Sequence, residues 1–103
     1  MNRESLKTPP SMISLVIPVY NEEENLPRLM ERTRPVMQGM GRPYEIVFID
    51  DGSRDRSLSL LKSFTAHPEV RIVELVRNYG QHAAILAGLS IVRGDIVVTL
   101  DAD

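Results

Sequence analysis

Short apolar runs alternate along this chain with longer stretches whose apolar positions recur every three or four residues, an alternation that predicts strands and helices in turn. Ile13-Ser14-Leu15-Val16-Ile17, rich in β-branched residues, predicts a buried strand closed by Pro18. A helix comes next, with Asn21 as its cap and Glu22, Glu23 and Glu24 in the first turn, where free N–H groups favour carboxylates. Leu26, Leu29, Met30, Val36, Met37 and Met40 form its apolar side, the methionines reading as core filling. Pro27 suits an early helical position, Pro35 a bend or interruption, and Gly39 and Gly41 the stop. Tyr44-Glu45-Ile46-Val47-Phe48-Ile49 predicts a second strand halted by Asp50-Asp51-Gly52-Ser53, after which Asp55 or a polar neighbour opens a helix carrying Leu58, Leu61 and Phe64. Val70 to Val76 reads as a third strand whose Arg71 and Glu74 mark it as an edge. Asn78 to Val92 predicts a third helix with Ile85, Leu86 and Leu89 inward, and Asp95 to Leu100 a fourth strand running into Asp101-Ala102-Asp103. Residues 1–12, with Pro9 and Pro10 adjacent, show no period and read as a flexible lead before one folded unit over residues 13–103.

Strand–helix repetition of this kind predicts an α/β fold with a Rossmann-like, mostly parallel sheet and right-handed crossovers. In open α/β sheets, ligands bind beyond the carboxyl ends of the strands, where the strand order changes direction. The unusual polar residues fall at those ends: Pro18-Val19-Tyr20-Asn21-Glu22, Asp50-Asp51-Gly52-Ser53, Arg77-Asn78 and Asp101-Ala102-Asp103. Segments distant in sequence are therefore expected to line one crevice. The fourth strand is followed by no helix, although Ile96, Val97, Val98 and Leu100 call for cover on both faces. The chain is expected to be the front of a longer protein, exposing apolar surface and a strand edge when alone.

Composition narrows the partners. The 103 residues suffice for one small domain, and 43% apolar with 25% charged residues fits a globular segment. A net charge of −2 gives no general pull toward a polyanion, so nucleic acid is not an expected partner. The absence of cysteine excludes disulfides and thiolate metal sites. No apolar run is long enough to span a bilayer and the start resembles no signal peptide, so this segment reads as intracellular and not membrane-spanning.

Asp101 and Asp103 are two positions apart, so on an extended backbone both side chains leave on the same side. Two hard oxygen ligands there suit Mg²⁺ or Mn²⁺, which would bridge to substrate phosphates; a solvated acidic turn gives the same spelling. Asp51, at the end of a buried strand, is placed to accept from a nucleobase N–H or ribose hydroxyls, while the same Asp-Asp-Gly-Ser run makes a turn that caps the next helix. Tyr20 could pack beside a base and Glu22 bond to a nucleoside, or both could fix the turn after the first strand. Arg77 suits a diphosphate or the nearby carboxylates; a surface ion pair is its plainer use. Gly80-Gln81-His82 matches neither a dinucleotide nor a Walker fingerprint, though its turn allows close phosphate approach. His82 and His67 lack companion ligands and read as polar or capping residues.

Taken together, Val16-Ile17-Pro18-Val19-Tyr20-Asn21-Glu22, Ile49-Asp50-Asp51-Gly52-Ser53-Arg54-Asp55, Arg77 to Ala84, Gly94-Asp95 and the acidic triplet resemble the family 2 glycosyltransferases with a GT-A fold. The resemblance runs from about residue 12 to residue 103 and is strongest toward the branch that transfers sugars to polyprenyl phosphates. It implies a catalytic domain at the cytoplasmic face of the inner membrane, a nucleotide sugar, UDP-linked, as donor, and a lipid such as undecaprenyl phosphate as acceptor, met through regions downstream of this chain. It further implies Mg²⁺ or Mn²⁺ as cofactor and inverting transfer in cell-envelope synthesis. Asp51 would help select the nucleoside, Asp101 would assist ribose or metal, and Asp103 would ligate the metal as the second carboxylate of the catalytic pair; Pro18, Tyr20, Glu22 and Arg77 complete the implied donor site. Transfer to a saccharide or polysaccharide, nucleotidyl transfer, and nucleotide-sugar binding without turnover stay open at this point, as does homo-oligomer formation.

Overall fold

The computed structural model describes residues 11–103. Four strands, β1 (Ile13–Val19), β2 (Tyr44–Asp51), β3 (Val70–Leu75) and β4 (Ile96–Thr99), alternate with three helices, α1 (Leu26–Gly39), α2 (Ser57–Phe64) and α3 (Gln81–Leu89). The strands form one sheet in the order β3-β2-β1-β4, every pair parallel, as the strand–helix alternation predicts. The chain steps outward from β1 to β2 to β3, then returns across β1 to lay down β4. That reversal puts a gap between β1 and β4 beyond their carboxyl ends.

Alternate residues of the central strands feed two cores. Ile13, Leu15, Ile17, Val19, Ile46 and Phe48 pack with Leu26, Met30, Met37 and Leu61 under α1 and α2. Val16, Val47 and Ile49 pack with Ala84 under α3 on the opposite face. Helix α3 lies close against the sheet: a Cβ on Gly88 would stand 2.7 Å from Ile49 Cδ1 and 2.8 Å from Val16 Cγ1. Strand β3 takes the edge position that its mixed polarity indicates.

Several local expectations are corrected. β1 runs through Pro18, and β2 includes Asp50 and Asp51 in place of stopping before them. The reason for the first is directional. Val16 O accepts from Leu100 N–H at 3.0 Å, so the backbone groups of Val16, and by the two-residue period those of Pro18, face β4. β4 has ended at Thr99, so the missing N–H of Pro18 removes no ladder bond. Asn21 does not cap α1; it sits at φ 52°, and α1 begins after Asn25, with the three glutamates ahead of its first turn. Asn21 Oδ1 instead accepts from Arg54 N–H at 2.7 Å and Asp55 N–H at 3.3 Å, binding the turn after β1 to the turn before α2. Pro35 is accommodated inside α1, whereas Val36 and Met40 are exposed and fill no core. In α3 the inward residues are Ala84 and Gly88; Leu86 and Leu89 are exposed, because the close approach to β1 and β2 admits only small side chains. The expected lead over residues 1–12 falls mostly outside the described residues. Met12, at its end, donates its N–H to Asp95 Oδ2 at 3.1 Å.

Candidate functional site

Glycine and carboxylate chemistry build the site at the carboxyl ends of the strands. Asp51 is the last residue of β2 and is 3% exposed. Its Oδ1 accepts from Tyr79 N–H at 2.8 Å, and its Oδ2 from Gly80 N–H at 3.0 Å and Asn78 Nδ2 at 3.1 Å. The next residue, Gly52, has φ 72°, and a Cβ there would fall 2.3 Å from the carbonyl carbon of Arg77. Only glycine lets residues 77–80 lie this close to the β2 turn. Gly80, at φ 101°, then turns the chain into α3, so Gln81 begins the helix at the crevice.

The acidic triplet obeys the two-residue alternation. Ala102 is buried in the core under α1 and α2, whereas Asp101 and Asp103 are exposed. Both carboxylates therefore leave toward the α3 side, and Gln81 Nε2 donates to Asp101 Oδ1 at 3.0 Å. A crevice of about 400 Å³ is lined by Pro18, Tyr20, Glu22 and Asp51 together with Asp101 and Asp103, a volume within the range of small-molecule sites. Tyr20 is 42% exposed, leaving ring surface free, and Glu22 Oε2 accepts from Asn25 Nδ2 at 2.7 Å. Arg77 is the one expected donor-site residue not on this lining; its guanidinium stands over the Tyr79 ring, 5.1 Å from the centroid. Asn78, Gly80 and Gln81 do line the crevice, and sequence alone gives them no definite role. The signal available is the run Arg77-Asn78-Tyr79-Gly80, whose glycine precedes a helix. His82 is exposed and His67 lies in the turn before β3, where its carbonyl accepts from Val70 N–H.

The fit of these donors to a divalent cation depends on how many of them converge. Among the described residues no group of three or more His, Cys, Asp or Glu side chains gathers to hold a metal. The pair Asp101 and Asp103 offers hard oxygens and leaves most of an octahedral shell to other ligands. That fits Mg²⁺ or Mn²⁺ shared with substrate phosphates and water, and does not fit a fully protein-ligated ion.

Asp50 alternates to the other face. It is 2% exposed; Oδ2 accepts from Ser53 N–H at 3.3 Å, and Oδ1 has no partner among the described residues. Asp55 closes the α2 turn by accepting from Ser57 N–H at 2.8 Å and Glu23 N–H at 3.2 Å. Burial raises the Asp55 pKa, but these hydrogen bonds outweigh it and hold the carboxyl below its ordinary range.

Residues 14–103 match the model of Glycosyl transferase family 2. Over 93 residues the chain is 53% identical to an undecaprenyl-phosphate 4-deoxy-4-formamido-L-arabinose transferase of Shewanella sediminis, covering 88% of this chain and 28% of that protein. It therefore spans little more than a quarter of that relative's length. Among solved structures, glucosyl-3-phosphoglycerate synthase from Mycobacterium tuberculosis, in complex with Mn²⁺, UDP-glucose and phosphoglyceric acid, superposes with a TM-score of 0.69 at 27% identity, over 90% of this chain and 33% of that one. The mannosyltransferase PcManGT from Pyrobaculum calidifontis, in complex with GDP-mannose and Mn²⁺, gives 0.67 at 26% identity, over 98% and 32%.

Proposed function

Because the chain belongs to glycosyl transferase family 2, we propose that it forms the donor-binding front of an enzyme that transfers a sugar from a nucleotide sugar, UDP-linked, to a polyprenyl phosphate such as undecaprenyl phosphate. The observation that carries the donor half is the meeting of three separated strand ends, at Pro18, Asp51 and Asp101 to Asp103, in one crevice beside the start of α3. The acceptor half rests on the 53% identity to a protein named for transfer to undecaprenyl phosphate.

In this reading the nucleoside lies at the Asp51 end. Each carboxylate oxygen accepts two hydrogen bonds in plane, and Oδ1 receives one from the chain, so one acceptor position stays available for a base N–H or ribose hydroxyl. Tyr20 flanks the base and Glu22 meets the nucleoside from the β1 side. The diphosphate runs toward Asp101 and Asp103, which would hold Mg²⁺ or Mn²⁺; when bound, the cation offsets charge on the departing nucleoside diphosphate. Arg77 adds positive charge from the rim.

Transfer proceeds with inversion. An oxygen of the lipid phosphate forms the new bond to the anomeric carbon from the face opposite the nucleotide as the bond to the diphosphate breaks. A phosphate monoester carries its nucleophilic charge near neutral pH, so no strong protein base is required. The nucleotide sugar and the lipid phosphate are the proposed partners, the latter engaged by parts of the protein outside this chain. Among the described residues no helix is long and apolar enough to cross a membrane; the catalytic domain is placed, in this proposal, at the cytoplasmic face of the inner membrane.

The test is turnover by the complete protein, offered separated UDP-sugars with undecaprenyl phosphate or with soluble saccharides. A glycosylated lipid phosphate of inverted anomeric configuration is expected. Transfer only to a soluble saccharide would overturn the acceptor assignment.

A further inference from the structure

Asp51 and Asp101 line the same crevice from the ends of β2 and β4, which β1 separates, and hydrogen bonds through the backbone of residues 79–81 connect them. Asp51 holds the backbone N–H groups of Tyr79 and Gly80 at 2.8 and 3.0 Å. Gly80 is the residue that turns directly into α3, and Gln81 is the first residue of that helix. The Gln81 side chain, on the lining of the same crevice, donates through Nε2 to Asp101 Oδ1 at 3.0 Å. The Gln81 backbone is thus set by the β2 end, and its amide sets one oxygen of the carboxylate at the β4 end.

We propose that Gln81 is a positioning residue: it occupies Oδ1 of Asp101 so that Oδ2 is presented to a cation, and it ties that orientation to Asp51 through residues 79 and 80. This rests on the reading of Asp101 and Asp103 as a cation site. The physical reason is the freedom of an exposed aspartate. A carboxylate near a strand end rotates about two torsions, and a fixed donor on one oxygen removes much of that freedom before the ligand arrives. Partners that orient ligating carboxylates this way contribute about 10- to 100-fold in metal affinity. A neutral amide is suited to the task, since a lysine or arginine at the same place would compete with the cation by charge, whereas an apolar side chain would orient nothing.

The arrangement also predicts that the two ends are coupled. Asp51→Asn places an amide where Tyr79 and Gly80 need an acceptor, so the start of α3 loosens and Gln81 loses its aim. Its effect on cation binding should therefore pass through Gln81.

The experiment measures Mn²⁺ binding to the purified protein in saturating UDP by electron paramagnetic resonance, for the wild type, Asp103→Asn, Gln81→Leu, Asp51→Asn and the Gln81→Leu/Asp51→Asn double variant, with thermal melts to verify folding. Gln81→Leu is expected to weaken Mn²⁺ about tenfold with an unchanged melt, because the residue is exposed. Asp51→Asn is expected to weaken it too, with no further loss in the double variant. Binding that Asp103→Asn abolishes but Gln81→Leu leaves unchanged would overturn the positioning role and leave the cation reading intact. Additive losses in the double variant would overturn the tie to Asp51. No Mn²⁺ binding by the wild type would overturn the cation reading itself, and this inference with it.

Discussion

The two ends of strand β2 put the same chemical group to opposite uses. Glu45 and Asp51 lie on the same face of the strand, about 20 Å apart by the rise of an extended chain, and both are 3% exposed. At the amino end, Glu45 Oε1 pairs with Arg71 Nη1 at 2.7 Å, and Oε2 accepts from the Ser14 hydroxyl and from Arg93 N–H, each at 2.6 Å. Ser14 Oγ in turn accepts from Gly94 N–H at 2.8 Å, and Arg71 also donates to Ile91 O at 2.9 Å. Three of these bonds, at Ile91, Arg93 and Gly94, fasten the link from α3 to β4, and the other two join Glu45 to Ser14 of β1 and Arg71 of β3. At the carboxyl end Asp51 is held by neutral N–H donors alone, from Asn78, Tyr79 and Gly80, while Asp101 and Asp103 are exposed and Asp101 is met by one neutral amide. The difference teaches that a carboxylate paired with a guanidinium and a hydroxyl is spent on holding a crossover in place, whereas carboxylates met only by neutral N–H groups, or by one at most, keep acceptor capacity for something else.

The largest test of that contrast is Glu45→Ala. It leaves the Arg71 guanidinium beside an empty space and frees Ser14 and the N–H of Arg93, so a loss of about 3 kcal/mol is expected, the low end for a broken buried pair because Arg71 keeps some contact with water. Urea unfolding measures it. A loss below about 1 kcal/mol would mean that packing alone carries β4 to its place and that the clasp is incidental.

Much of this is legible in the sequence. The element order, the edge position of β3 and the gathering of Pro18, Tyr20, Glu22, Asp51, Asp101 and Asp103 at one crevice come from period and from where strands end. The clasp is not. In sequence Glu45 is a lone charge within the run 44–49, and Arg71 reads as ordinary edge polarity until the β2–β3 register brings them to one face. The inward face of α3 escapes the sequence pattern for a related reason. Helical period marks Leu86 and Leu89 as core, but the tight approach of Val16 and Ile49 to Gly88 leaves room only for Gly88 and Ala84. Asn21 passes for a helix cap because caps are recognised from the few residues beside them, and its true partners, Arg54 and Asp55, lie more than 30 residues away.

Acid sharpens the comparison next. Burial raises the Glu45 pKa, but the bonds from Ser14, Arg93 and Arg71 outweigh it and hold the carboxyl below the glutamate value of 4.5. Burial raises Glu69 likewise, and a hydrogen bond from its own backbone together with Arg34 outweighs it and holds that carboxyl low. A carboxyl whose folded pKa lies below its unfolded one contributes stability that is complete above the unfolded value and is lost as pH falls through the folded one. Stability should therefore be level above about pH 5.5 and decline below about pH 4.5, each such group adding at most about 1.4 kcal/mol per pH unit to the slope. Glu45→Gln should lie below the wild type at neutral pH and fall less steeply, the two curves drawing together in acid. Parallel curves in urea titrations from pH 7 to pH 3 would remove Glu45 from the acid response.

The smallest expected effect lies at the open end. Asp103 is exposed, and its carboxylate shares one side of the chain with that of Asp101, so without a cation the pair repels and holds nothing together. Asp103→Asn removes one charge at nearly constant shape, and should leave the stability of the metal-free protein within about 0.5 kcal/mol of the wild type, on the stabilising side. With saturating Mn²⁺ the sign should reverse, because a cation that binds only the folded wild type raises its melting temperature while the variant gains nothing. Thermal melts with chelator and with Mn²⁺ separate the two contributions. A loss above about 1 kcal/mol in chelator would show Asp103 to be a structural carboxylate like Glu45, and the contrast between the ends of the sheet would collapse.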